Sequence, residues 1–349
     1  MKPSIKAGCL TLGLLTMSYS LSASADELYF ASWGGAYQDA IREAWLKPFN
    51  KETGIDVVED TDPQVSKLKA MQDTNTVSWD VVTENSSRLA RGIKLGVFEK
   101  ITPEMVNQQH VIPGARNDYG VPSEIFSTLI GFSSKAFPDG KPQPKTFADF
   151  WDVKTFPGKR TLQDEPATVI EAALIADGVK PEDVYKTLST PEGVDRAMNQ
   201  IKKIKPYVAK WWKSGAEPVQ ALSSGEVVMA LGWNGRFQSG IDAGVPIKMS
   251  WDDSVAQVGY FALVKGAHNR DAALKLLNYI ISPQHQAEFS KYIAYGPTTS
   301  EAMQYIDKAR QQRLPSTPER LQHTLFMDAG WWDKNGPAII ERYNQVRAQ

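Results

Sequence analysis

The sequence has 349 residues, including ten Trp, and its 39 Lys and Arg nearly balance its 40 Asp and Glu. This near-neutral charge gives no electrostatic reason to expect nucleic acid or an anionic membrane surface as a partner. A chain of this length exceeds what a single hydrophobic core usually organises, so two lobes are predicted.

Residues 1–25 are predicted to be a secretory signal peptide. Lys2 and Lys6 precede an apolar run that ends near Leu21, and small residues at 23–25 suit a signal peptidase. The apolar run is too short to be a lasting membrane span. Cleavage after Ala25 would remove Cys9, the single cysteine of the sequence. Disulfides and cysteine-based metal sites are therefore not expected in the mature, exported chain.

In chain order, the first part of the mature chain alternates between strands and helices. Ile41, Trp45 and Phe49 recur every four residues, which predicts a helix ended by Gly54. The full order is strand ELYFASW, this helix, strand IDVVED, helix VSKLKAMQDT, strand WDVVTEN and helix SSRLARGIKLGVFEKI. Such an order predicts a parallel, doubly wound α/β lobe. Ligands of these sheets bind beyond the carboxyl ends of the strands, which here are SWGGAY and TENSS.

The rest of the chain predicts a second lobe of the same kind. YGVPSEIFSTLIGFSSKAF is a long extended run, predicted to cross between the lobes. A helix, a strand ending at LQDE and a helix begun by Pro166 follow, and MALGWNGRFQSG repeats strand then helix. We therefore expect an α/β fold of two doubly wound lobes joined by hinge strands. Lobe one is predicted to comprise 26–132 and 258–304, and lobe two 133–257 and 305–349.

Catalytic chemistry finds little support in the sequence. The four histidines are scattered through polar or helical surroundings, with no spacing typical of a metal site or a triad: His110, His268, His285 and His323. SSGEV has the wrong spacing for a nucleophile elbow, and SWGGAY lacks the third glycine of a dinucleotide fingerprint. An enzyme is disfavoured, and no metal or cofactor is expected.

Aromatic residues are the stronger signal. Several tryptophans are predicted at strand ends or in loops, namely Trp33, Trp233, Trp251, Trp331 and Trp332, whereas Trp45 and Trp151 lie on helical stripes typical of a core. Aromatic faces beside carboxylates recognise small organic cations. The candidate carboxylates of such a site are Glu84, Glu124, Glu165 and Asp333.

The order and spacing of several segments resemble one family. YFASWGGAY, FNKETGIDV, WDVVTENSS, YGVPSEIFSTLIGF, TFADFWD, VVMALGWNGR and DAALKLLNYIISPQHQAEFSKYIAYGPT occur as in the periplasmic polyamine-binding proteins, the spermidine/putrescine-type components of ABC importers. The resemblance runs over nearly the whole mature chain. It implies a type II periplasmic binding protein, which is a monomer that grips one solute between its lobes. A membrane permease then reads the closure of the cleft.

The resemblance also implies positions for the ligand site. The stacking aromatic after the first strand matches Trp33, and Tyr37 follows it. The family's polar loop matches Thr83 to Ser86, its aspartate falls near Glu165, and its glutamate falls on Thr168. The family's tryptophan matches Trp233, its late tyrosine matches Tyr295, and its late polar residue matches Asp333. We add Glu84, Glu124 and Tyr260 as further candidate ligand-binding residues.

Two positions depart from the polyamine pattern. An aspartate of the polyamine binders aligns with Gly259, and the residue after WNG is Arg236. Losing an acid and gaining a guanidinium moves the local charge by two units toward anions, and an unpaired Arg would repel a dication. The planar fork of Arg suits a carboxylate or a phosphonate. We therefore expect Trp233 to stack on the ligand while Arg236 binds an acidic end.

Other interpretations remain open at this point. Arg236 could instead turn outward and pair with Glu165 or Asp252. The leading hypothesis is a periplasmic receptor for a small amine or amino-acid-like solute, such as an ω-amino acid. The alternatives are a true putrescine or spermidine receptor, a thiamine receptor and, from a different class, a secreted hydrolase. Turnover of ester or amide substrates would favour the hydrolase.

Overall fold

A computed structural model describes residues 27–322 and 324–348, so that the predicted signal peptide, Cys9 and His323 lie outside the described residues. Within them, ten strands belong to one hydrogen-bonded array. The strands are β1 (Glu27–Ser32), β2 (Asp56–Thr61), β3 (Val81–Asn85), β4 (Val121–Ser133), β5 (Arg160–Gln163), β6 (Val208–Trp212), β7 (Met229–Trp233), β8 (Ile247–Met249), β9 (Ser254–Leu263) and β10 (Thr324–Phe326).

Helices connect most of these strands. They are α1 (Gly35–Ile41), α2 (Lys47–Thr53), α3 (Val65–Asp73), α4 (Ser86–Leu95), α5 (Phe147–Trp151), α6 (Val169–Ala176), α7 (Val184–Leu188), α8 (Pro191–Ile204), α9 (Glu217–Ser224), α10 (Asn234–Asp242), α11 (Arg270–Ile280), α12 (Pro283–Tyr292), α13 (Lys308–Gln311), α14 (Pro318–Leu321) and α15 (Ala329–Ala348). A π-helical segment, Arg42–Leu46, joins α1 to α2. None of the described helices has the length and apolarity needed to cross a membrane.

The array is built from two groups of parallel strands. Its order is β2-β1-β3-β9-β4-β7-β5-β6, with β10 beside β9 and β8 beside β4. β1 runs parallel to β2 and β3, and β5 runs parallel to β6 and β7. The two groups are joined by β9 and β4, which run antiparallel to each other and to the parallel strands beside them. The predicted doubly wound lobes are therefore confirmed, each completed by an antiparallel strand.

β4 is the long extended run that the sequence predicts to cross between the lobes. Its residues from Val121 to Thr128 pair with β9, and those from Thr128 to Phe132 pair with β7. β9 pairs with β10 at its start and with β3 at its end. Because both strands belong to both sheets, they can act as the hinge about which the lobes rotate.

Two large hydrophobic cores occupy the two sides of the hinge. The first draws its residues from 28–126 and 258–295, and the second from 130–255 and 325–346. In the first core the predicted stripe of Ile41, Trp45 and Phe49 is fully buried, and Trp45 stacks on Phe289 at 4.2 Å. Separate cores support the predicted lobes, whose exact limits remain a prediction. Residues near 304 form their own small cluster, in which Ile306 packs with Ala287.

Some local expectations were wrong. The helix expected to begin at Pro166 begins at Val169, because Thr168 takes a left-handed backbone with φ of 69°. Trp331 and Trp332, expected at strand ends or in loops, lie in α15 and pack into the second core. Sequence periodicity did not reveal this helix, because its tryptophans are adjacent rather than spaced around one helical face.

The side chain of Glu171 joins three helices inside the second lobe. It lies on α6 and is fully buried. Its Oε1 accepts hydrogen bonds from Trp332 Nε1 of α15 at 2.7 Å and from the Tyr185 hydroxyl of α7 at 2.9 Å. Burial raises the pKa of this carboxyl to about 7, against the opposing effect of its hydrogen bonds.

Replacing Glu171 with Gln is expected to change how stability depends on pH. A Glu carboxyl has a pKa of about 4.3 in an unfolded chain, so the folded state binds the proton more tightly. Stability from this group is therefore fully present below about pH 4 and is lost as the pH rises through 7. The free energy of unfolding of Glu171→Gln, relative to wild type, should increase by on the order of 3 kcal/mol between pH 4 and 8. Urea unfolding at each pH measures it.

Glu192→Gln is the matched control, since Glu192 is an exposed glutamate on α8 of the same lobe. Its stability relative to wild type should not vary with pH in this way. A pH-independent difference between Glu171→Gln and wild type would contradict the role assigned to burial.

Candidate functional site

A cavity of about 560 Å³ lies between the two lobes, at the carboxyl ends of β1, β3 and β7. The parallel strands of both lobes end here, as the sequence predicts for SWGGAY and TENSS. Among the residues singled out from sequence, the cavity brings together Trp33, Tyr37, Glu84, Glu124, Trp233, Arg236 and Tyr295.

Trp33 forms the wall contributed by the end of β1. Gly34 and Gly35, with φ of 66° and 57°, turn the chain directly from this strand into α1. Such left-handed backbone is accessible to glycine without steric cost. The indole Nε1 of Trp33 donates to the Thr83 carbonyl at 2.9 Å. The guanidinium of Arg88 stacks on the indole at 4.0 Å from the ring centre. The indole plane is thus fixed from both strand and helix.

Glu84, near the end of β3, is the most isolated charge-bearing group of the cavity. It is only 2% exposed, and neither carboxyl oxygen has a hydrogen-bond partner among the described residues. Burial raises the pKa of Glu84 well above its usual range, although the positive charge of Arg88 opposes the shift. A buried acceptor without a partner is costly. A ligand that donates hydrogen bonds would relieve that cost.

Glu124 lies opposite, on the hinge strand β4. The Tyr37 hydroxyl donates to its Oε1 at 2.7 Å, while Oε2 has no partner in the described chain. Burial raises the pKa of Glu124 to about 7, although the hydrogen bond from Tyr37 favours the ionised form. This carboxyl can therefore hold or release a proton near neutral pH.

The second lobe contributes Trp233 and Arg236, from the end of β7 and the first turn of α10. The Trp233 ring packs edge-to-face against Trp212 at 5.2 Å and Phe126 at 5.8 Å, and its Nε1 has no partner within the described residues. Arg236 is 6% exposed and crosses to the first lobe, where its Nη2 donates to the Gly34 carbonyl at 3.3 Å.

Arg236 forms no ion pair with any described carboxylate, and its Nε has no hydrogen-bond partner there. The alternative that it pairs with Glu165 or Asp252 is wrong. Glu165 instead binds Arg88 at 2.6 Å, and Asp252 is exposed. The guanidinium is held over the Tyr37 ring at 5.8 Å, so it is positioned but its charge is not neutralised.

Four candidates from sequence do not line this cavity. Ser86 donates to the Val258 carbonyl at 3.3 Å, and Tyr260 packs into the first core. Glu165 and Asp333 line a second cavity of about 510 Å³ between α4 and α15. Asp333 is exposed there because the preceding tryptophans of α15 turn into the core.

Sequence reasoning missed several lining residues, namely Asp62, Gln64, Phe126, Gln163 and Lys213, and above all Arg88. It lies in the first turn of α4, lines both cavities, and links Trp33 of the first lobe to Glu165 of the second. Its place within the TENSSR segment, immediately after the predicted ligand loop, was an available signal. The Arg88–Glu165 pair and the Arg236–Gly34 bond bring the lobes into contact around the cavity.

These features define a class of protein: a two-lobed receptor that encloses a small solute between lobes joined by hinge strands. Comparison with known proteins agrees. The chain belongs to the bacterial extracellular solute-binding protein family, whose model matches residues 44–315. The predicted fold and the predicted resemblance to polyamine-binding proteins are both confirmed.

Individual relatives cover nearly the whole chain. It is 36% identical to the gamma-aminobutyric acid-binding protein of Pseudomonas aeruginosa, over 97% of this chain and 96% of that protein. It is 28% identical to the spermidine/putrescine-binding periplasmic protein of Salmonella typhimurium, over 98% and 96% respectively. The solved structure of the PBP MotA from A. tumefaciens B6 in complex with glucopine has a TM-score of 0.87 and 32% identity, covering 92% of this chain and 99% of that chain.

Glu165→Gln is expected to increase the population in which the lobes are apart. The variant keeps the size of the side chain but loses the charge that pairs with Arg88. An ion pair of this exposure contributes up to about 1 kcal/mol, which corresponds to roughly a fivefold change in the ratio of open to closed molecules. Spin labels on cysteines introduced at the exposed Lys51 and Lys202, one in each lobe, report this ratio as a distance distribution.

Asp195→Asn is the control, because it removes an exposed ion pair with Arg342 that lies wholly within the second lobe. Its distance distribution should match that of wild type. If Glu165→Gln also matched wild type, the pair would not contribute to closure.

Proposed function

We propose that this protein is the periplasmic receptor of an ABC importer and that it captures a small solute carrying both an amino group and an acidic group. Its partner is then the permease of that importer in the inner membrane, and the receptor acts as a monomer. The family assignment supports this role. So do two relatives, one named for binding gamma-aminobutyric acid and one named as a periplasmic spermidine/putrescine-binding protein.

The observation that carries the proposal is the presence of basic and acidic side chains in one cavity without mutual pairing. Among the residues that the structure describes, Arg236 has an unpartnered Nε and no carboxylate partner, and Glu84 and Glu124 have unpartnered carboxyl oxygens. Buried charged groups usually pair with each other. Here each is free to pair with the complementary end of a zwitterion, through the charge-assisted hydrogen bonds that such ends form.

A linear polyamine fits this charge arrangement less well. Two or more ammonium groups need acids to offset them, but the three acids that line the cavity are matched by three basic side chains: Asp62, Glu84 and Glu124 against Arg88, Lys213 and Arg236. A carboxylate or phosphonate at one end of the solute would instead be attracted by Arg236. The ammonium end then lies against Glu84 and Glu124, with the indoles of Trp33 and Trp233 beside the aliphatic part of the ligand.

Arg236→Ala is expected to weaken the binding of 4-aminobutyrate by about tenfold to a hundredfold. A hydrogen bond to a charged group contributes about 1.5–3 kcal/mol, and each 1.4 kcal/mol is a factor of ten in affinity. Calorimetric titration of the ligand-free mature protein with 4-aminobutyrate, aminoalkylphosphonates, putrescine and spermidine measures the effect. Arg342→Ala, at an exposed position of the second lobe, is the control and should bind as wild type.

Tight spermidine binding that survives Arg236→Ala would refute the role of Arg236 and favour a true polyamine receptor. Absence of binding for every amino-acid-like solute, with binding of diamines, would do the same. Native mass spectrometry of the purified protein adds an independent check, because a retained solute reveals its mass directly.

The affinity for 4-aminobutyrate is expected to fall as the pH drops below 7. An ion pair with the ammonium group requires Glu124 in its ionised form. The carboxyl of Glu124 has a pKa of about 7, so it is mostly protonated below that pH. Binding must then release the proton of Glu124, which costs roughly tenfold in affinity for each pH unit below 7. Titrations from pH 5.5 to 8, in buffers of different ionisation enthalpy, count the protons released. Glu124→Gln should release one proton fewer, and an unchanged proton count would contradict the assignment.

A further inference from the structure

Gly259 is a glycine whose backbone does not require glycine. It lies within β9, between Asn85 of β3 and Glu124 of β4 in the strand register. It is not among the glycines with positive φ. Glycine inside a strand gives up side-chain packing and costs conformational entropy, and it often marks a place where another group approaches closely. The reason for Gly259 must therefore be sought in the space beside it.

That space is filled by the carboxyl of Glu124. A Cβ atom added to Gly259 would lie 2.0 Å from Oε1, 2.4 Å from Cδ and 2.9 Å from Oε2 of Glu124. Non-bonded carbon and oxygen atoms do not approach so closely. Any side chain at 259 would thus displace the carboxyl of Glu124 from its present position. The displaced carboxyl would lose the hydrogen bond that it accepts from the Tyr37 hydroxyl.

An irregularity in β4 directs Glu124 toward this space. Pro122 pairs with Tyr260 and Glu124 pairs with Gly259, so Ser123 is an extra residue with no partner on β9. A bulge of this kind changes the face on which the following side chains lie. Without it, Glu124 would share the face of Pro122 and Tyr260, and Tyr260 packs into the first core. With it, Glu124 shares the cavity face of Gly259.

The carboxyl so placed has capacity left for a ligand. Glu124 is 2% exposed, Tyr37 satisfies its Oε1, and its Oε2 has no partner among the described residues. Both Glu124 and Gly259 line the cavity between the lobes. The position aligned with an aspartate in the polyamine-binding pattern is thus a glycine here, and an acid from the neighbouring strand stands over it.

We propose that Gly259 determines how the site recognises the amino group of its solute: the missing side chain lets the Glu124 carboxyl, rather than an acid on β9, meet the ammonium. An acid at 259 and the present position of Glu124 exclude each other sterically. This inference rests on the proposed function for the identity of the ligand group, but the steric coupling of the two residues does not.

The test is a double-mutant cycle with 4-aminobutyrate as the probe, on the full mature protein. Gly259→Ala and Glu124→Ala should each weaken binding by about tenfold or more. The double variant should bind within about threefold of Glu124→Ala, because alanine at 259 acts only by displacing the carboxyl. Losses that multiply in the double variant, or a Gly259→Ala protein that binds as wild type, would overturn the proposal.

Thermal unfolding of the ligand-free proteins tests the steric coupling between residue 259 and Glu124 separately from ligand binding. Gly259→Ala should lower Tm by a few degrees in the wild-type background and by less than one degree in the Glu124→Ala background. Gly131→Ala is the control, since its added Cβ would lie 2.5 Å from the Phe237 ring, away from the cavity. Its Tm loss should be the same in both backgrounds. Equal losses for Gly259→Ala in both backgrounds would overturn the coupling, whereas a wild type that binds no ω-amino acid would overturn only the proposed function.

Discussion

The ionisable side chains of the cavity are buried by the fold but are not paired with one another by it. Arg236 is held by a backbone carbonyl and an aromatic ring, and Glu124 by a tyrosine hydroxyl, while Glu84 has no partner in the described chain. Burying such groups without pairing them costs free energy. The two hydrophobic cores and the shared strands stabilise the fold enough to offset this unfavourable free energy. A ligand of complementary charge recovers it, which makes the site preorganised for that ligand.

The same groups also connect binding to lobe closure. Arg236 starts in the second lobe and reaches the backbone of the first, and Arg88 starts in the first and reaches Glu165 of the second. Arg88 also stacks on Trp33, the indole that forms one wall of the cavity. Arg88 and Arg236 therefore both line the cavity and contact the opposite lobe. A solute that contacts these residues biases the rotation about β4 and β9, because it interacts differently with the open and closed states.

The sequence predicted the fold well, since periodic apolar residues and the order of strands and helices are local signals. Trp33, Trp233 and Arg236 could also be placed, because each lies at or just after a strand end, where sheets of this kind bind ligands. Other features depend on tertiary contacts that no local pattern encodes. Arg88 reads as a surface residue of α4 until the second lobe is present, and Asp333 faces away because of how α15 packs. The relation of Glu124 to Gly259 depends on the register of two strands far apart in the chain.

The extra residue in β4 has an effect beyond the one side chain that it turns. Alternation along a strand normally commits every second residue to one face, and β4 belongs to the sheets of both lobes. The irregularity at Ser123 resets this count near the start of the strand, before it enters the second lobe. Val121 and Pro122 therefore follow one alternation of faces, and the residues from Glu124 onward follow the opposite one. Loss of this single residue would transpose the inner and outer faces of one stretch relative to the other, although every strand would remain.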